Sequence, residues 1–179
     1  MADIFLLAGA PAVGKSSTAK ALAAHFPKSI HIPVDDIRDM VVSGLALPSG
    51  AWGQDLIEQL ALARASVAQM AIAYSNAGFA VAIDDFWDSN SRLSEYQALY
   101  QRPDLHRIML FPSQRAAQER NRKRSGPGDG SAYIAAGIRL VYESLQAELP
   151  NLERQGWMVV DTTDRSIEAT VDHILARIG

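Results

Sequence analysis

Cysteine is absent from the 179 residues. Disulfides, thiolate nucleophiles and Cys-ligated zinc are therefore excluded, and a reducing compartment is compatible. A basic excess is also missing. Lys and Arg number 17 against 20 Asp and Glu, for a formal net charge of −3. That balance argues against a dedicated nucleic-acid partner. Long apolar runs are missing too. The N-terminal run stops at Gly9 without a basic leader, and no other run approaches the ~20 residues of a membrane span. A cytoplasmic protein with no membrane partner is expected. The four histidines, His25, His31, His106 and His173, show no metal-ligand spacing and read as structural or exposed. What is present is an ordinary globular mixture, 48% hydrophobic and 21% charged. The length suits one domain over residues 1–179 with a sizeable core.

Short apolar runs alternate with helical patterns along the chain. Strands are expected at Ile4–Ala8, Ser29–Pro33, Phe79–Ile83, His106–Phe111 and Trp157–Val160. Between them, helical patterns cover Lys15–Phe26, Asp36–Ser43, Ser91–Tyr100 and Gln114–Lys123. Leu56, Leu60, Ala63, Val67, Met70, Tyr74 and Ala77 mark one long amphipathic helix, with Gly78 at its cap. Ile134, Ile138, Val141 and Leu145 mark another, ending near Pro150, and Ile167, Val171, Ile174 and Ile178 mark the last. Residues 44–55, with Pro48, Gly50 and Gly53, read as a loop. Strict alternation predicts a parallel sheet with helices on both faces, a three-layer α/β/α fold.

Residues 9–16 read Gly-Ala-Pro-Ala-Val-Gly-Lys-Ser, the G-x-x-x-x-G-K-[ST] phosphate loop. A chance match in a chain of this length is expected about 0.006 times. Gly9 and Gly14 allow the backbone to turn tightly around an anion. The intervening Ala10, Pro11, Ala12 and Val13 then supply amides, and Ser17 continues the loop into a helix whose positive dipole end faces the same anion. Lys15 is expected on the β- and γ-phosphates and the Ser16 hydroxyl on Mg²⁺, with ATP as the nucleotide.

Ligands of an open parallel sheet gather at the carboxyl ends of its strands. Asp35 and Asp36 follow the second strand, and Asp84 and Asp85 follow the third. Phe79-Ala-Val-Ala-Ile-Asp84 has the form of a strand ending in the acid that holds Mg²⁺. Asp35 is the candidate general base for an acceptor hydroxyl. Arg38, three residues on, shares its helix face and is a candidate substrate contact, as are Asp85 and the rings of Trp52 and Trp87. Packing is the alternative for both tryptophans, capping for Asp36 and a solvated loop position for Asp85. Glu119-Arg-Asn-Arg-Lys-Arg124 precedes a Gly/Pro segment. Arg120 and Arg124 lie on one helix face, so residues about 120–131 read as a lid whose arginines stabilise charge in transfer.

Together these features resemble the small P-loop kinases of the nucleoside-monophosphate-kinase-like class. Val34-Asp35, Ile83-Asp84-Asp85, the lid arginines and Asp161-Thr162-Thr163 with Ser166-Ile167-Glu168 are similar to segments of the chloramphenicol phosphotransferases. Asp35-Asp36-Ile37-Arg38 and Arg120-Asn-Arg-Lys-Arg124 resemble the phage-type polynucleotide 5′-hydroxyl kinases. The resemblance implies a P-loop NTPase fold with a five-stranded sheet of order 2-3-1-4-5. It implies ATP as donor, Asp35 as catalytic base and a segment at Thr162 that contacts adenine. The expected activity is phosphoryl transfer to a hydroxyl of a small molecule, an antibiotic such as chloramphenicol among the candidates. A polynucleotide kinase and a non-catalytic nucleotide-binding regulator are the alternatives.

Overall fold

The first strand, β1 (Ile4–Gly9), is buried along its whole length, as its unbroken apolar run requires of a central parallel strand. The structure, a computed structural model, describes residues 1–47, 52–126 and 129–179, with no account of the side chains of 129–131. Proline and glycine at 48, 50, 127 and 128, expected to shape the acceptor loop and the hinge, lie outside the described residues. After β1 come α1 (Lys15–Ala23), β2 (Ser29–Pro33), α2 (Val34–Asp39), α3 (Gln54–Asn76) and β3 (Ala80–Phe86). A single 3₁₀ turn, Ser94–Tyr96, leads into α4 (Gln97–Tyr100). The chain ends with β4 (Leu105–Leu110), α5 (Gln114–Ser125), α6 (Asp129–Arg154), β5 (Trp157–Val160) and α7 (Ile167–Ala176).

The sheet is parallel throughout and runs β2-β3-β1-β4-β5, the order expected. Each face of the sheet carries its own core. Ile4, Leu6, Val81 and Ile83 face α3 and α4. Phe5, Leu7, Ala80, Ala82 and Ile108 face α1 and α7. This alternation fixes which way each strand-end residue points.

Several boundaries differ from expectation. Strand β3 extends through Asp84 and Asp85 to Phe86, so both acids belong to the strand. The segment 91–100 is no continuous helix, because Arg92 and Leu93 take left-handed φ values of 51° and 57°. Helix α6 does not stop at Pro150 but carries it inside and continues to Arg154, where buried Leu152 holds the last turn to the core. The buried stripe of α3 is Leu56, Leu60, Ala63, Arg64, Val67, Ala68, Ala71 and Ser75, with Tyr74 more exposed against the Phe79 ring. An arginine thus sits where the apolar pattern leads one to expect an aliphatic residue.

Candidate active site

Between β1 and α1 the chain makes a tight loop with φ of 62° at Ala12 and 99° at Gly14. Gly9 is required by space: a Cβ there would meet the Leu110 carbonyl oxygen at 2.6 Å. Gly14 is the residue before α1, and no side chain caps the first amides of that helix. Those amides and the helix dipole are therefore available to an anion. The Lys15 Nζ donates to the Ala10 carbonyl, 2.9 Å away, which holds the side chain over the loop. Burial pushes the Lys15 ammonium down from its ordinary value, while Asp84, Asp35 and Asp85 pull it back up. Phosphate oxygens in the loop would add to that upward pull.

The Ser16 hydroxyl donates to Asp84 Oδ1 at 2.7 Å. Asp84 is 7% exposed and lies on β3 opposite Pro33 of β2 and Leu7 of β1. Its other oxygen, Oδ2, is 2.6 Å from Nε2 of His31 on β2. Ser16 and Asp84 fit a hard, octahedral, oxygen-seeking cation such as Mg²⁺, since both offer oxygen and flank the phosphate loop. Among the described residues no group of three or more His, Asp or Glu forms a self-sufficient metal cage. Mg²⁺ is commonly held instead by one or two protein oxygens plus substrate phosphates.

A cavity of about 410 Å³ opens beside the loop, bounded by Gly14–Thr18, Arg120, Arg124, Thr162, Arg165 and Ile167. Arg120 stitches its walls together. It donates to the Val13 carbonyl at 3.1 Å and to the Thr162 carbonyl at 2.5 Å. Arg124, one turn later on α5, is exposed. Thr162 is buried and held by Arg120. The neighbouring turn is fixed by Asp161, which accepts from the Thr163 hydroxyl at 2.6 Å and the Thr163 amide at 2.8 Å. Arg165 was not singled out by sequence, though it adds a cation to the same cavity.

On the acceptor side, Asp35 is exposed in the first turn of α2, close enough that its charge acts on both Lys15 and Asp85. Arg38 has a 13% exposed side chain, with Nη2 3.7 Å from Asp39. Its Nε is buried without a partner among the described residues. Trp52 is 37% exposed, with its ring edge-on to Phe86 at 5.8 Å.

Two expected substrate contacts are corrected. Asp85 is 3% exposed and points away from the phosphate loop, onto the α3 face. There it accepts from Arg64 Nε at 2.7 Å and Tyr96 Oη at 3.1 Å. Strand alternation is the reason: Asp84 and Asp85 are adjacent, so they face opposite sides. Arg64 also pairs with Asp88 and Glu95, each at 3.0 Å. Trp87 is 2% exposed and meets the Trp157 ring at 6.2 Å, so it is core and not a stacking surface.

His31, read from sequence only as structural or exposed, bonds Asp84, and Arg64 has no role in the sequence reading. His31 could have been found only from register: it pairs with Ala82, two residues before Asp84, which sets His31 and Asp84 on one face. Arg64 could have been found as the single cation in an otherwise apolar helical stripe.

The chain belongs to the AAA domain family, which matches residues 4–147. No curated protein matches it. Among solved structures it is similar to the tunicamycin resistance protein of Deinococcus radiodurans, with TM-score 0.68 and 18% identity over 100% of this chain and 96% of that one. A gluconokinase from Sinorhizobium meliloti gives TM-score 0.63 and 17% identity, covering 97% and 90%. A sugar kinase from a Janibacter species gives 0.63 and 15%, covering 99% and 92%. These likenesses show the fold, an α/β P-loop NTPase. No helix of the described residues is long and apolar enough to cross a membrane.

Proposed function

We propose that this chain is an ATP-dependent phosphotransferase that moves the γ-phosphoryl group to a hydroxyl of a small molecule. One observation carries the reading: Asp35 is an exposed carboxylate in the first turn of α2, directly after β2, and its charge is among those that act on Lys15 of the phosphate loop. A nucleotide switch needs the loop but has no use for an acceptor-side base. In this reading the loop amides and Lys15 hold the phosphates, and Asp35 orients the acceptor hydroxyl and accepts its proton. Arg120 and Arg124 lie on the cavity wall where charge spreads during transfer. Ser16 and Asp84 would hold Mg²⁺, which when bound neutralises phosphate charge.

The acceptor side favours a small molecule over a polynucleotide. Asp35, Asp36, Asp39, Asp55 and Glu58 are all exposed, and Arg38 is the one cation between residues 34 and 62. Such a surface repels a polyanion, whose binding rests on Lys and Arg contacts to phosphate. Met40, Val42, Leu47, Trp52 and Ile57 are exposed along the same stretch, giving an apolar rim. Antibiotic alcohols such as chloramphenicol and tunicamycin therefore belong in an acceptor screen beside sugars and sugar acids.

The test is ADP release from ATP over a panel of hydroxyl compounds and oligonucleotide 5′-ends, with wild type and Asp35→Asn. A small-molecule acceptor should raise ADP release in the wild type. The variant should keep ATP binding and lose about 10²–10⁴-fold in transfer. Turnover of 5′-ends with steep salt dependence would move the assignment to a polynucleotide kinase. Full activity in Asp35→Asn would remove the proposed base, and no acceptor-dependent release at all would favour a regulator.

A further inference from the structure

We infer that His31 is a positioning residue for the metal-binding carboxylate: its Nε2–H fixes Asp84 Oδ2 so that Oδ1 stays aimed at Ser16 and the phosphate loop. The inference rests on the Mg²⁺ role proposed for Ser16 and Asp84. Two distances and the burial of the acid define the arrangement. His31 Nε2 lies 2.6 Å from Oδ2, Ser16 Oγ lies 2.7 Å from Oδ1, and the acid is 7% exposed. An ionised carboxylate only accepts hydrogen bonds, so the proton between His31 and Asp84 is carried by Nε2.

A lone aspartate can rotate about its terminal torsion, which has broad, roughly two-fold preferences. With Oδ2 tied to β2, rotation would break a short charge-assisted bond. The two oxygens thus have separate jobs. The Ser16 hydroxyl oxygen and Oδ1 would together hold a cation in the loop, directly or through its water. The His31 bond does not compete, because it uses the other oxygen. Strand pairing makes the tie rigid: His31 pairs with Ala82 and Pro33 with Asp84 in the parallel β2–β3 ladder. His31 itself has a 19% exposed side chain.

The experiment measures ATP affinity with Mg²⁺ and with chelator, using a fluorescent ATP analogue on the full chain. It compares wild type with His31→Gln, His31→Asn and Asp84→Asn. Glutamine can place an amide N–H near the Nε2 position, and asparagine is too short. In chelator wild type, His31→Gln and His31→Asn should bind alike. With Mg²⁺, His31→Asn should lose about 10-fold or more of the affinity the cation adds, as outer-shell partners of metal ligands typically do. His31→Gln should keep most of it. The concentration of Mg²⁺ giving half-maximal effect should rise in His31→Asn in step.

A Mg²⁺ response equal to wild type in His31→Asn, with Asp84→Asn impaired, overturns the inference and leaves the metal site standing. An unchanged response in Asp84→Asn overturns the metal assignment and this inference together. Equal losses in His31→Gln and His31→Asn would also overturn it, since a donor at the right reach would then not matter.

Discussion

Asp84 and Asp85 are neighbours on β3 with the same side chain, and the strand sends them into two different environments. Asp84 faces α1, where Ser16, His31 and the charge of Lys15 surround it beside the open phosphate loop. Asp85 faces α3, where Arg64 is completely buried between it, Asp88 and Glu95, and the Phe86 ring covers the guanidinium at 5.0 Å. The first region is built of groups that can exchange partners when a ligand arrives. In the second, partners are locked by burial, three acids share one cation, and burial pushes the Asp85 carboxyl up while Arg64 pulls it back. One face of the strand end is arranged for chemistry. The other fixes the β3 end and the segment that follows it, Asp88 to Tyr96, through one side chain.

The largest effect expected from that difference is on stability. Arg64→Met should leave Asp85, Asp88 and Glu95 without their shared counter-charge. Removing one partner of a buried pair costs about 3–5 kcal/mol, or about 6–20 °C in Tm for a chain of this size. Thermal melts check it, and ATP affinity of the protein still folded should be close to wild type. An unshifted Tm would mean that the cluster contributes little. The counterpart on the other face is Lys15→Ala. Among the described residues its amine bonds the Ala10 carbonyl, so stability should change by about 0.5 kcal/mol or less. Loss of the phosphate contact should lower transfer by about 10²–10³-fold. Undiminished turnover would undo the phosphate-loop assignment.

How much of this was readable in advance follows the same division. The loop at 9–16 was legible because each position has a local backbone or charge requirement that few residues meet. The bounds of β2 and β5 and the start of α7 were legible from short apolar runs and helical stripes. The sheet order came from resemblance, since periodicity carries no information about which strands are neighbours. Asp85 is misplaced when β3 ends at Ile83, because the strand runs on to Phe86 and alternation turns Asp85 to the α3 face, whereas the packing alternative for Trp87 is met. Arg64 stands out in sequence as the one cation of the buried α3 stripe, but its role depends on partners 21 to 31 residues away. His31 was hidden because its role depends on cross-strand register. The helical stripe predicts an end near Pro150, yet local proline chemistry gives way to the burial of Leu152 beyond it.

A third test separates two arginines of the cavity wall. Arg120 already bonds the Val13 and Thr162 carbonyls, so its alanine variant should lose stability, about 1.5–3 kcal/mol for charged hydrogen bonds. Arg124 is exposed on the same wall. Its alanine variant should keep Tm and lose about 10²-fold in kcat with little change in ATP affinity. Equal Tm values for both variants would show that Arg120 is as free as Arg124. Wild-type kcat in both would return this basic run to a solvated helix face.

The smallest effect expected is a pH dependence of the open region, and its sign can be worked out. Hydrogen bonds from the Thr163 hydroxyl and amide hold the Asp161 carboxyl below its ordinary value, with Arg165 and Arg120 adding to the shift. A depressed folded value means that the folded state prefers the charged form. The stability this gives is fully present above the ordinary aspartate value, near about 3.9, and is lost as pH falls through the folded value below it. Asp104 titrates with the same sign: partial burial pushes it up, but hydrogen bonds from Arg102, its own amide and Ser75 hold it low. Wild type and Asp161→Asn both keep Asp104, so the difference between their Tm curves isolates Asp161. That difference should be constant from about pH 7 to 5 and shrink as pH drops below about 4. Arg64 does not enter it, because burial works against its charge yet its three carboxylates keep its value above the ordinary one. A difference that instead grows toward acid would mean that Asp161 is held in its neutral form, and that the Thr163 turn is not anchored by charge.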